Sequence, residues 1–190
     1  MTVANRWKLV LDADCDVAAM VYGPHDDPDS ILRVFLRSLL GMGYDAVGVV
    51  QERSPAQNVG SRRTDFVLLP EMDDHPLLVH SEGAPCDTLL LDMAARLSHL
   101  LKRRPDLMVL NRYGSQEMAG AGLMAVIAEA VRLEVPILIA VPEALFPRWL
   151  DLVTGLTVRV GPSHDSLSRW WQSLGRPVGV APATACERFK

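Results

Sequence analysis

Val17-Ala-Ala-Met-Val-Tyr-Gly-Pro-His-Asp-Asp-Pro-Asp-Ser30 is the stretch that decides the fold. Its first six residues are apolar without alternation, which suits a strand buried on both faces of a parallel sheet. Gly23-Pro24 stops the run, and a polar loop follows to Pro28. A helix is expected from about Asp29-Ser30, because Leu32, Phe35, Leu36, Leu39 and Leu40 recur at helical spacing, with Arg33 and Arg37 on the other side. Gly41 and Gly43 end it. Strand, glycine-containing loop and helix start form the layout of a phosphate-binding loop, since a helix N-terminus offers unpaired N–H groups and a partial positive charge.

Working outward, the chain keeps alternating short β-rich runs with helical stretches, and no internal repeat is visible. Asp45 to Gln51 reads as a second strand and Gln51 to Arg62 as a loop rich in Pro, Asn, Gly and Ser. Asp65–Leu69 and Leu77–His80 read as a hairpin-like β insert joined by the acidic turn Glu71 to His75. Asp87 suits an N-cap for a helix reaching about Arg103, which Pro105-Asp106 breaks. Leu107–Leu110 is a short buried strand that delivers Asn111-Arg-Tyr-Gly114. A helix from about Gly120 to Leu133, a strand Pro136–Val141, a short helix Leu145–Val153, a strand Leu156–Val160 and a helix His164–Leu174 complete the pattern.

This alternation predicts a three-layer α/β/α domain with a mostly parallel sheet over residues 16–175. Residues 1–15 read as an N-terminal extension and 176–190 as a tail of little pattern. Ligands of such sheets bind at the carboxyl ends of the strands. The loops Gly23–Ser30 and Asn111–Gly122 therefore carry the functional question.

A working phosphate-binding loop reads G-x-x-x-x-G-K-[ST]. Gly23 to Ser30 has the length, the first glycine and the final hydroxyl, but Pro28 stands for the second glycine and Asp29 for the lysine. Asp26, Asp27 and Asp29 oppose a triphosphate, and Pro28 removes a backbone N–H. The same residues also fit a tight acidic turn with Ser30 or Asp29 capping the helix, so a retained ligand site and a structural turn stay open side by side.

The second loop carries a resemblance. Asn111-Arg-Tyr-Gly-Ser-Gln-Glu117 stands where the thermophile nucleoside-triphosphatase family of P-loop proteins has D-E-I-G-K-M-E, with Gly114 and Glu117 matching and Asn111 and Arg112 replacing the two acids. With Gly120, Gly122 and Leu123, the strand Val47–Gln51 and Cys86, the chain resembles the bacterial family called domain of unknown function 2478, over about Asp16 to Val160. The resemblance implies a P-loop NTPase-like fold whose members often lack the lysine, and an association with molybdate transport.

NTP hydrolysis needs a Lys on the β/γ-phosphates, a Ser or Thr on Mg²⁺ and an acid holding the metal's water. Only Ser30 stands in position, and Asn111 lacks the charge that holds a hard cation. Hydrolysis by the usual route is therefore not expected. The leading reading is a pseudo-NTPase that binds a nucleotide or small oxyanion in a regulatory or accessory role. An enzyme rebuilt on Arg112, Glu117 and the acidic loop for phosphoryl or hydrolytic chemistry is the alternative.

Ligand contacts are expected from Gly23, His25, Asp26, Asp27, Ser30, Arg63, Asn111, Arg112, Gly114 and Glu117. Arg112 fits a phosphate or carboxylate in forked geometry, or an internal pair with Asp26, Asp27 or Glu117. Glu117 fits a general base or, preferably, a helix-start acid. His25 beside two carboxylates fits a metal only with further ligands that the sequence does not place, so no metal is assigned. Arg62, Arg63 and Asp65 fit an exposed loop or a lid. Cys86 lacks a His partner and reads as structural. Trp170 and Trp171 read as core plus a dimer contact, on the expectation that one helix face cannot bury both.

The charge of -4 over 190 residues predicts no pull toward nucleic acid or anionic membrane. No stretch reaches the ~18 apolar residues of a membrane span. The start does not read as a signal peptide. Three separated cysteines without CxxC spacing indicate a reducing cytoplasm. The expected partners are a small anionic ligand or a protein, with a homodimer possible.

Overall fold

The computed structural model describes residues 17–54, 63–69, 86–154 and 157–176. Six strands form one sheet: β1 Val17–Tyr22, β2 Ala46–Ser54, β3 Arg63–Leu69, β4 Leu107–Asn111, β5 Ile137–Pro142 and β6 Val158–Val160, in the order β3-β2-β4-β5-β1-β6. Five run parallel; β3 is antiparallel to β2 at one edge. The helices are α1 Pro28–Gly41, α2 Cys86–Leu101, α3 Ser115–Met118, α4 Met124–Arg132, α5 Phe146–Leu152 and α6 His164–Ser173, with a 3₁₀ turn Glu143–Leu145 before α5.

The continuous apolar runs have the expected cause. Side chains alternate faces along a strand, and here both faces are covered. Val17, Ala19, Val21, Met108, Leu110, Ile137, Ile139 and Val141 pack toward α2, α4 and α5. Ala18, Met20, Leu107, Val109, Leu138 and Ala140 pack toward α1 and α6. This is the three-layer α/β/α arrangement expected, and it is P-loop NTPase-like. β1 and β4 are both interior and parallel, with β5 between them. Gly48 lets β2 lie close to β4 under α1: a Cβ there would stand 2.6 Å from the Val109 carbonyl oxygen.

Several boundaries differ from the sequence reading. α1 starts at Pro28, and the cap is Asp27, whose carboxylate accepts from Ser30 N at 3.2 Å, in place of Asp29 or Ser30. β2 runs on to Ser54, so the loop expected from Gln51 begins later. The strand expected at Asp65–Leu69 is β3, and its partner is β2; Leu77–His80 and the acidic turn lie outside the described residues. α2 begins at Cys86, putting Asp87 inside the helix, and ends at Leu101. The helix expected from about Gly120 to Leu133 is α4, which begins only at Met124 because Gly120 and Gly122 take positive φ ahead of it; the short α3 before them was not expected.

Trp170 and Trp171 are corrected as well: both are buried in the same core. Trp171 meets Tyr44 edge-to-face at 5.1 Å, and one helix face does bury both rings. No helix among the described residues is long and apolar enough to cross a membrane.

Candidate functional site

β1 delivers Gly23–Asp27 to the carboxyl edge of the sheet. That turn satisfies itself. Asp26 accepts from the Gly23 N–H at 2.8 Å, and its own N–H donates to the Gly23 carbonyl at 3.3 Å. Asp27 caps α1 through Ser30 N, and its carbonyl accepts from Ile31 N at 3.2 Å. Two backbone donors of the kind a phosphate-binding loop offers, Gly23 N and Ser30 N, are thus held by the loop's own carboxylates. Both acids are exposed, as is His25.

Asp29 is different. It sits in the first turn of α1 on the helical stripe that continues to Leu32, Leu36 and Leu39, and it is buried at 5% exposure. Two groups from the end of β4 reach it. The Asn111 amide nitrogen donates to Asp29 Oδ1. Arg112 Nη2 donates to Oδ2 at 3.3 Å and Oδ1 at 3.5 Å. The Asp29 side chain is 7% exposed and that of Arg112 is 32% exposed. A carboxylate so far from water needs a cation or strong donors close by, and Arg112 and Asn111 supply both. Asn111 is itself buried, and its Oδ1 has no hydrogen-bond partner among the described residues.

The chain after β4 is anchored at the two residues that follow Arg112. The Asn111–Arg112 peptide is cis. The Tyr113 N–H donates to the Ala140 carbonyl of β5 at 2.8 Å, and the Tyr113 ring packs edge-to-face on Trp149 at 5.3 Å. Burial pushes the Tyr113 phenol above its ordinary 10.0; nearby Arg148 pulls the other way, and Glu117 and Asp151 push with the burial. The Gly114 N–H donates to Glu117 Oε2 at 3.1 Å, while Glu117 Oε1 accepts from Leu123 N at 3.2 Å. Glu117 is 7% exposed, with each oxygen on a backbone donor. It is an acid of the helix start, closing a capping box with Gly114.

The structure therefore joins Asn111 and Arg112 to Asp29, and Gly114 to Glu117. It corrects the partner of Arg112: the expected pairs were Asp26, Asp27 or Glu117, and the observed one is Asp29. The first two face their own turn and the third faces Gly114 and Leu123. The sequence reading has Asp29 in the place of the lysine, opposing a triphosphate, or capping the helix, and does not pair it with Arg112. The available signal was its phase: an acid three and seven residues before Leu32 and Leu36 lies on the buried stripe. Arg63 opens β3 opposite Ser54. Among the described residues no group of three or more His, Cys, Asp or Glu could hold a metal ion.

A three-layer, mostly parallel sheet with its loop-to-helix junction and the end of β4 meeting at the carboxyl edge defines a P-loop NTPase-like α/β domain. The chain belongs to the family described as "Protein of unknown function (DUF2478)", whose model matches residues 17–170. It is also similar to a protein of Bradyrhizobium diazoefficiens named "Molybdenum import ATP-binding protein ModC 2", at 29% identity over 161 residues. That match covers 82% of this chain and 18% of the relative. The chain thus spans under a fifth of that protein's length. No solved structure matches it.

Proposed function

We propose that this domain is a non-hydrolysing member of the P-loop NTPase-like class. In this reading it binds a small anion, a nucleotide phosphate or an oxyanion, at the carboxyl edge of the sheet and acts as an accessory or regulatory module. One observation carries the reading. Where a hydrolysing relative needs a lysine and a metal-holding acid, this chain has the Asp29 carboxylate locked onto Asn111 and Arg112. A triphosphate would meet a carboxylate where the lysine is needed, and Mg²⁺ would meet a neutral amide beside a guanidinium where the acid is needed. Arg112 keeps about a third of its side chain at the surface, and a guanidinium has five N–H donors in a fork that suits phosphate and similar oxyanions.

The likeness to a domain-sized part of a much longer molybdenum-import ATP-binding protein supports placing this role beside molybdenum uptake. The protein partner would then be a component of that machinery, and the compartment the cytoplasm. A thermal-shift panel of ATP, GTP, phosphate, sulfate and molybdate tests the reading, because a ligand that binds only the folded state raises its melting temperature. At least one anion is expected to raise it in wild type and not in Arg112→Ala. A panel with no shift in wild type rejects anion binding.

A further inference from the structure

We infer that Glu117 is a positioning residue for Arg112: its carboxylate is the clamp that holds the Arg112 loop against the start of α4. The geometry is specific. Arg112 follows Asn111, the last residue of β4, and precedes two backbone anchors in succession, Tyr113 N on the Ala140 carbonyl and Gly114 N on Glu117 Oε2. The first ties the loop to the sheet. The second ties it to α3, and through Oε1 to Leu123 N at the start of α4. One buried carboxylate thus joins the N-cap of α3 directly to the N-cap of α4, beside the backbone turn that runs between the two helices. Gly122 closes the arrangement: at φ +57 its missing Cβ leaves room for Glu117, and a Cβ there would stand 2.4 Å from Oε1. The spacing Gly114, Glu117, Gly122 thereby gains one physical cause, a carboxylate bridging two backbone donors with a glycine beside it. Glu117 accordingly acts on Arg112 through the backbone and not on a ligand.

The clamp has a readout that needs no ligand. Arg112 labelling by phenylglyoxal, followed site by site by peptide mass spectrometry well below the melting temperature, reports how often its guanidinium leaves Asp29. Glu117→Gln replaces an acceptor by an amide that cannot serve both N–H groups. Gly122→Ala displaces the carboxylate while leaving its charge. Both are expected to raise the Arg112 labelling rate on the order of tenfold, the scale of losing one charge-assisted hydrogen bond in a local opening. Leu167→Ala, in the core shared by α6 and α1, lowers global stability without removing a contact of Glu117, Gly114 or Leu123 and is expected to leave that rate unchanged.

Wild-type labelling rates in both loop variants overturn the inference. So does a Leu167→Ala protein labelled as fast as they are at the same distance from its melting temperature. The functional relevance of the clamp rests on Arg112 being the anion contact, and titration with inorganic phosphate judges that separately. If wild type binds phosphate, Glu117→Gln is expected to bind it more weakly at temperatures where it is fully folded. If wild type binds none, the labelling result still decides the clamp, and the anion-contact reading of Arg112 fails for phosphate.

Discussion

Asp29 and Arg112 form an ion pair at 3.3 Å across the carboxyl edge of the sheet, the carboxylate from the first turn of α1 and the guanidinium from just beyond β4. They stand 83 positions apart in sequence and are brought together only by the sheet order, which lays β5 between β1 and β4 and lets α1 cross over to the end of β4.

Arg112→Ala is expected to destabilise the protein with or without ligand, because Asp29 would be left as a buried charge with Asn111 as its remaining donor. Breaking a fully buried pair costs about 3–5 kcal/mol; partial exposure of Arg112 lowers the expectation to about 1–3 kcal/mol. Urea unfolding of Arg112→Ala, Asp29→Ala and the double variant checks it. A coupling of about 0.5–3 kcal/mol is expected for residues in contact, and strictly additive effects would show that the pair contributes nothing.

Purified protein is expected to release no phosphate from ATP or GTP with Mg²⁺ above the buffer rate. The metal-holding position carries Asn111, and the lysine position carries an acid already bound to Arg112. Malachite-green assays over hours check this. Turnover at ordinary rates that disappears in Ser30→Ala would refute it.

Asp27→Ala is expected to cost about 1 kcal/mol, the usual loss for an N-cap whose side chain accepts from the first turn. The Ser30 N–H would then turn to water. The midpoint of denaturation should fall without a change in its slope. Asp26→Ala removes the contact to Gly23 N and is expected to cost less, since that turn lies in solvent and water replaces the carboxylate.

Gly48→Ala is expected to destabilise by about 1–3 kcal/mol or more, the range for overpacking a well-packed core. The new methyl would meet the Val109 carbonyl oxygen at 2.6 Å and Val109 Cβ at 2.9 Å, both on a neighbouring strand that cannot retreat. Wild-type stability would mean that β2 and β4 are less closely apposed than the structure has them.

Alkaline pH is expected to weaken the fold through Tyr113. Its phenol is raised above 10.0 in the folded state, chiefly by burial. Between the unfolded and the folded pKa the native protein binds more protons than the unfolded chain. The stabilisation is therefore complete below about pH 10 and is lost as pH rises through the folded pKa. Tyr113→Phe should flatten stability against pH above that point, and ultraviolet difference titration should show one late-titrating tyrosine.

The sequence by itself determined the class of fold. Val17–Tyr22 and Leu107–Leu110 are apolar at every position because both faces of their strands are covered, and that property is written locally. It also pointed to the edge where the two loops meet, since parallel strands send their following loops the same way. Tertiary structure decided what those loops do. Asp26, Asp27 and Asp29 look alike in a row of acids, yet one closes a turn, one caps a helix and one is buried on Arg112, because successive residues entering a helix point in different directions. The pairing of β3 with β2 and the common burial of Trp170 and Trp171 were decided there too. Each depends on what another part of the chain brings alongside: a free strand edge in the first case and the gap beside Tyr44 in the second.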